Sequence, residues 1–142
     1  MTKNHLTSQT FLVMHGDILI DIDLSDFINF HAERNTTATI ALTSVVDPSA
    51  FGEVVLHGSR ITKFIEKPQK GSQSSQLISC GVYLFEKEIF DFIPKKGACL
   101  LENIFPRLAT LKKLSGFLFE GKWVDIGTPA SYEKAIKTWG KR

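Results

Sequence analysis

Along the chain, short apolar runs that end at glycine, proline or aspartate alternate with stretches of helical spacing. Phe11-Leu12-Val13-Met14 is one such run, stopped by His15-Gly16-Asp17, which is the form of a buried strand in a parallel sheet with a turn behind it. Asp23-Leu24-Ser25-Asp26 then opens a helix with an acidic cap. Leu24, Phe27, Ile28 and His31 share a face at i, i+3, i+4 and i+7, and Asn35 closes it. His31 reads as a helix-face residue rather than a ligand. Residues 36–46 carry Thr, Ile, Val and Ala and no charge, so they predict a second buried strand. Strand, helix, strand in that order implies a parallel crossover.

After Asp47-Pro48-Ser49 the pattern changes. Residues 51–57 and 60–65 flank Gly58-Ser59, a two-residue turn that predicts an antiparallel ribbon. Glu66-Lys67-Pro68 ends it, and the polar stretch 69–76 predicts a mobile loop. A strand follows over 77–85, interrupted by Gly81, which reads equally as a bulge or as a place where a ligand or another backbone comes close. Short helices are expected at 86–93 and around Leu101, Ile104, Phe105 and Leu108, and a strand at 116–120. Thr128-Pro129 starts a last helix whose Tyr132, Ala135, Ile136 and Trp139 share a face.

A chain of 142 residues with ordinary composition predicts one domain over 1–142, with a polar, flexible start over 1–10. The net charge of +2 is spread without a basic block, so neither nucleic acid nor an anionic membrane is an expected partner. Cys80 and Cys99 have no metal-type spacing, and no apolar run is long enough for a signal core or a span. A reducing cytoplasm is the expected setting.

For chemistry, Gly116 to Lys122 has the glycine–lysine spacing of a phosphate loop. Its interior is an apolar strand, however, and Trp123 stands where Ser or Thr would bind a metal. More informative are Asp17, Glu66-Lys67 and Asp125, each beside a glycine or proline at the end of a predicted strand. Alone, Asp17 reads as a turn or cap residue. Two carboxylates at the ends of two strands of one sheet can share a magnesium ion that bridges phosphate oxygens. Lys67 suits a phosphate, and Glu66 can accept hydrogen bonds from sugar hydroxyls.

Residues 11–21, Phe51-Gly52-Glu53-Val54-Val55, Phe64-Ile65-Glu66-Lys67-Pro68, residues 79–85 and Trp123-Val124-Asp125-Ile126-Gly127-Thr128-Pro129 resemble, in collinear order, the sugar-1-phosphate nucleotidylyltransferases. These enzymes join a nucleoside triphosphate to a sugar 1-phosphate and release pyrophosphate. The resemblance implies an α/β fold: a truncated Rossmann-like nucleotidyltransferase sheet, mostly parallel with an antiparallel ribbon, flanked by helices. It also implies that Asp17 and Asp125 hold Mg2+, that Glu66 and Lys67 contact the sugar and phosphate, and that Gly52 and Gly81 line the sugar pocket. His15 stands where asparagine is usual, and Ser79-Cys80 where Asn-Ala is common.

The family's glycine-rich loop, G-x-G-T-R-L, has no counterpart, since the chain contains no G-x-G. The resemblance therefore implies an acceptor-sugar half without the nucleotide-binding half, inactive or nearly so alone. A separate chain carrying the loop is one expected partner. A homodimer through the 11–15 strand, which has lost a neighbour, is another. A non-catalytic sugar-phosphate-binding module and a structural remnant are the alternatives.

Overall fold

The computed structural model describes residues 5–94 and 97–140. The flexible start expected over 1–10 lies partly outside them. At its far end Thr10 already opens a strand, and the Lys87 N–H donates to the Gln9 carbonyl at 2.9 Å.

The strands are β1 (Thr10–Met14), β2 (Ile18–Ile20), β3 (Ala38–Ser44), β4 (Gly52–His57), β5 (Arg60–Glu66), β6 (Leu77–Glu86), β7 (Leu114–Leu118) and β8 (Trp123–Asp125). The helices are α1 (Leu24–Arg34), α2 (Phe105–Thr110) and α3 (Pro129–Thr138). Six strands form one sheet in the order β1-β6-β3-β7-β5-β4, and β2 pairs with β8 in a separate ribbon. The α/β class is as expected, but the strand directions are not mostly parallel. Among the described residues only β3 and β7 pair in parallel, whereas β1–β6, β3–β6 and β4–β5 are antiparallel ladders. The reason is β6, which enters between β1 and β3. The two ends of the β1-α1-β3 crossover are parallel to each other, yet are not neighbours in the sheet.

Because side chains alternate across a strand, β6 feeds two cores. Tyr83 and Phe85 join Ile40, Leu42, Phe64 and Phe105 on one face, under α2 and the ribbon. Val82 and Leu84 join Phe27 and Ala41 on the other, under α1. Asp23 caps α1 by accepting from the Ser25 and Asp26 amides, and Asn35 ends it at φ 49°. The buried face of α1 is narrower than its spacing suggests. Phe27 and His31 are buried, while Leu24 and Ile28 are 43% and 49% exposed. His31 is a satisfied core residue, 2.6 Å from Thr39 Oγ1 through Nδ1 and 3.0 Å from Glu86 Oε1 through Nε2.

Residues 87–91 form a 3-10 turn rather than an α-helix. Thr128 and Ser131 make a capping box on α3, but that helix buries only Ala135 and leaves Tyr132 and Ile136 exposed. Among the described residues no helix is long and apolar enough to cross a membrane.

The loop over 69–76 is anchored, contrary to the mobility expected of its composition. Glu53 is fully buried, and its Oε1 accepts from the amides of Ser74 at 2.7 Å and Ser75 at 2.9 Å. Glu53→Ala would leave both amides without that acceptor, at a cost of about 3 kcal/mol. The expected result in urea unfolding is a lower midpoint, with faster proteolysis at 69–76. Glu53→Gln, which keeps one acceptor oxygen, should recover most of the loss.

Candidate active site

The second ribbon gathers the site. Pairing of β2 with β8 sets Ile18 opposite Asp125, and the Ile126 N–H donates to the Asp17 carbonyl at 2.8 Å. Two aspartates more than a hundred positions apart therefore meet. A β-carbon on Gly127 would stand 3.1 Å from Asp125 Oδ1 and 3.3 Å from Asp17 Oδ2, so both carboxylates converge on one point. Asp125 Oδ1 is further fixed by the Gly127 amide at 2.8 Å. The sequence suggested two strands of one sheet, but this pair belongs to a small ribbon of its own. That ribbon is docked on the main sheet by Trp123, whose indole N–H donates to the Cys80 carbonyl at 3.0 Å.

Beside the aspartates lies a cleft of about 130 Å3 that includes Asp17, Gly52, Glu66, Gly81, Glu102 and Asp125 in its walls. Each glycine there has a reason to lack a side chain. At Gly52 a β-carbon would stand 2.5 Å from the Phe64 ring and 3.1 Å from Glu66 Oε2. Gly81 has φ +75°, and its β-carbon would lie 2.7 Å from His15 Nδ1. The bulge reading of Gly81 holds, because the β3–β6 register shifts between Ile40 and Leu42, opposite it, and the group that comes close is the His15 side chain. Lys67 does not line the cleft. Its backbone is left-handed at φ 46°, and its N–H donates to the Phe51 carbonyl at 3.0 Å.

Burial holds the Glu66 carboxyl above its ordinary value, and the nearby Glu102 charge pushes the same way against Lys67 and His15. Burial raises the Tyr83 hydroxyl to about 12. That hydroxyl lies 3.3 Å from Ser79 Oγ and 3.4 Å from His15 Nε2. Sequence reasoning missed Glu102, which sits in a short 3-10 turn with no periodic signal. It also missed Tyr83 and the inward side chain of Ser79, which share the Gly81 side of β6 and which the two-residue period of that strand could have given.

A family model for nucleotidyl transferases matches residues 1–142. The chain belongs to the nucleotidyl transferase family. Among curated relatives, the mannose-1-phosphate guanylyltransferase catalytic subunit beta of Dictyostelium discoideum is 35% identical over 126 residues, covering 87% of this chain and 34% of that protein. Mannose-1-phosphate guanyltransferase beta-B of Xenopus laevis is 32% identical over 134 residues, covering 93% of this chain and 36% of its own length. This nucleotidyl transferase chain thus spans about a third of those relatives. In fold it is similar to a UDP-glucose pyrophosphorylase from Acinetobacter baumannii, with TM-score 0.83 at 21% identity over 98% of this chain and 53% of that one. HddC from Yersinia pseudotuberculosis gives TM-score 0.76 at 22% identity, over 97% of this chain and 59% of that one.

Gly81→Ala is expected to cost about 2–3 kcal/mol in thermal unfolding, from left-handed strain plus collision with His15. Gly71→Ala separates the two causes, because Gly71 has φ +84° with open space around it. That control should cost only about 1 kcal/mol.

Proposed function

We propose that these residues form the acceptor side of a nucleotide-sugar-forming transferase: a cleft for a sugar 1-phosphate, with Asp17 and Asp125 beside it to hold Mg2+. The convergence of the two carboxylates on one point carries the reading. The donor set fits the ion. Magnesium takes one or two carboxylates and completes its shell with water and substrate phosphate oxygens, and among the described residues no group of three or more His, Cys, Asp or Glu competes as a closed metal cage. Bound there, the ion would neutralise charge on the phosphate oxygens.

On this reading Glu66 accepts hydrogen bonds from sugar hydroxyls, Gly52 and Gly81 let the ring approach the backbone, and Lys67 is left to reach a phosphate from outside the cleft wall. The four carboxylates Asp17, Glu66, Glu102 and Asp125 would repel a phosphate without a cation between them. That repulsion favours binding that depends on metal.

Nucleotidyl transfer rests on positioning and on charge cancellation around the triphosphate. Because the sequence contains no G-x-G loop, we propose that these residues alone are inactive and that the loop must come from elsewhere in a longer chain or from a partner, in the cytoplasm. A second reading, a non-catalytic sugar-phosphate-binding module or remnant held as a homodimer, is favoured by one observation. β1 is an edge strand with Leu12 and Met14 42% and 47% exposed, and such an edge is a template for pairing. Light scattering at rising concentration should then show a dimer, which a charge at Leu12 (Leu12→Lys) disperses.

Calorimetric titration with mannose 1-phosphate and glucose 1-phosphate tests the primary reading. Saturable heat is expected with Mg2+ and a loss of at least tenfold in affinity with Asp125→Asn, about 1.4 kcal/mol. Heat that is indifferent to metal and to the substitution would sink it. Binding should also weaken on acidification, as Glu66 gains its proton above the ordinary glutamate value of 4.5. Glu102→Gln removes a charge that holds that value up, so the midpoint should move to lower pH.

A further inference from the structure

At the far end of β5 from Glu66, about 20 Å away at the usual rise per strand residue, lies a second cavity of about 480 Å3. It is built where three connections meet: the end of α1, the β4–β5 hairpin, and the turn from α2 into β7. They bring Arg34, His57, Arg60 and Lys112 to its walls, against one carboxylate, Glu33. The net charge of the whole chain, +2, gives no hint of this gathering.

The connections that carry the cations are fixed by backbone geometry. Asn35 and Lys112 are left-handed, at φ 49° and φ 59°. The Lys112 N–H donates to the Ala109 carbonyl at 3.0 Å, and the Gly116 N–H to the Ser59 carbonyl at 2.9 Å, tying the α2–β7 turn to the hairpin. Arg60 faces Ser115 in the β5–β7 pairing. The Arg34 guanidinium stacks 4.5 Å from the Phe30 ring centroid, which occupies a face of the group and leaves its in-plane N–H donors open.

Neighbouring Lys113 shows the contrast, for it is paired with Glu88. Among the described residues, no carboxylate lies within ion-pair reach of Arg34, Arg60 or Lys112. Three like charges around a concavity outweigh the single carboxylate of Glu33 and leave a net positive potential there. Ser115, also in the wall, is buried and donates its hydroxyl to Thr36 Oγ1 at 3.1 Å, which ties β7 to the end of α1.

We infer that this cavity is a second ligand site, for a small molecule carrying two or more phosphate groups, separate from the acceptor cleft and independent of metal. Planar guanidinium groups and a lysine around a hollow suit phosphate oxygens, which accept bidentate bonds from arginine and point-charge contact from lysine. Residues of three separate connections line the hollow at one place, so a compact polyanion suits it better than an extended nucleic-acid strand.

The test is titration of the full chain with inorganic pyrophosphate at low salt in EDTA, which removes metal-dependent binding at the cleft. Saturable binding is expected, with inorganic phosphate weaker. Arg60→Gln/Lys112→Gln should weaken it at least tenfold, the loss of two charged hydrogen-bond donors, and Glu33→Gln should strengthen it. Asp125→Asn, in the other site, should leave it unchanged. Glu33, Arg60 and Lys112 are exposed, and an unchanged thermal midpoint confirms that the variants are folded. The inference is overturned if pyrophosphate fails to saturate, if the double variant binds as well as the parent, or if a single-stranded oligonucleotide displaces pyrophosphate at lower concentration.

Discussion

The backbone hydrogen bonding of β6 is the constraint on which everything else depends. This ten-residue strand pairs with β1 and β3 along its length and touches β4 at Glu53–Ile78. A strand paired on both edges and buried on both faces must be apolar in both parities, and Ile78, Cys80, Val82, Tyr83, Leu84 and Phe85 all are essentially excluded from solvent. Such a strand tolerates little irregularity. The one it has, at Gly81, opens the cleft: the bulge brings His15 across the glycine through a 2.9 Å bond from its N–H to the Gly81 carbonyl. The same irregularity leaves the Cys80 carbonyl free to receive Trp123. The site is thus cut into a strand that is paired on both edges and buried on both faces, where a misplaced side chain has little room.

The elements were legible wherever one residue sets a local conformation. Asp23 before α1, Asn35 after it, Gly58 in the hairpin and Thr128-Pro129 at α3 act within a turn of themselves, so a window of sequence contains their cause. Strand order was less legible because it depends on a competition between distant partners. A strand–helix–strand pattern argues for direct pairing of its two ends, but nothing within β1 or β3 announces that β6, far along the chain, will enter between them.

The candidate site divides in the same way. Asp17, Glu66, Asp125, Gly52 and Gly81 lie at the breaks in pattern that mark strand ends, and the structure gathers all five around one cleft. Lys67 marks the same kind of break yet stays outside the wall, since a left-handed residue turns the chain just where its neighbour Glu66 faces in. Glu102 carried no signal because its role comes entirely from proximity: its charge acts on Glu66 across an interface between elements remote in sequence. Glu53 is the opposite case. An acid in an otherwise apolar strand invites a functional reading, whereas its buried carboxylate holds two amides of a loop.

Faces left uncovered show where the fold's internal demands end. α1 offers a wider apolar stripe than the sheet uses, since Phe27 fills the space against Ala41 and Val82 while Leu24 and Ile28 stay half exposed. On β1, Leu12 and Met14 stand opposite Leu84 and Val82, which places them on the α1 side of the sheet. Burying such side chains gains roughly 1.5–3 kcal/mol each. A backbone edge and an apolar stripe on the same side of one sheet make a surface that rewards covering far more than solvation does. The aspartate pair has no comparable need, because its fixing bonds all come from within β2, β8 and the turn after them. The aspartate pair can therefore be preorganised by the chain's own pairing even though the sheet ends on a strand paired along one edge.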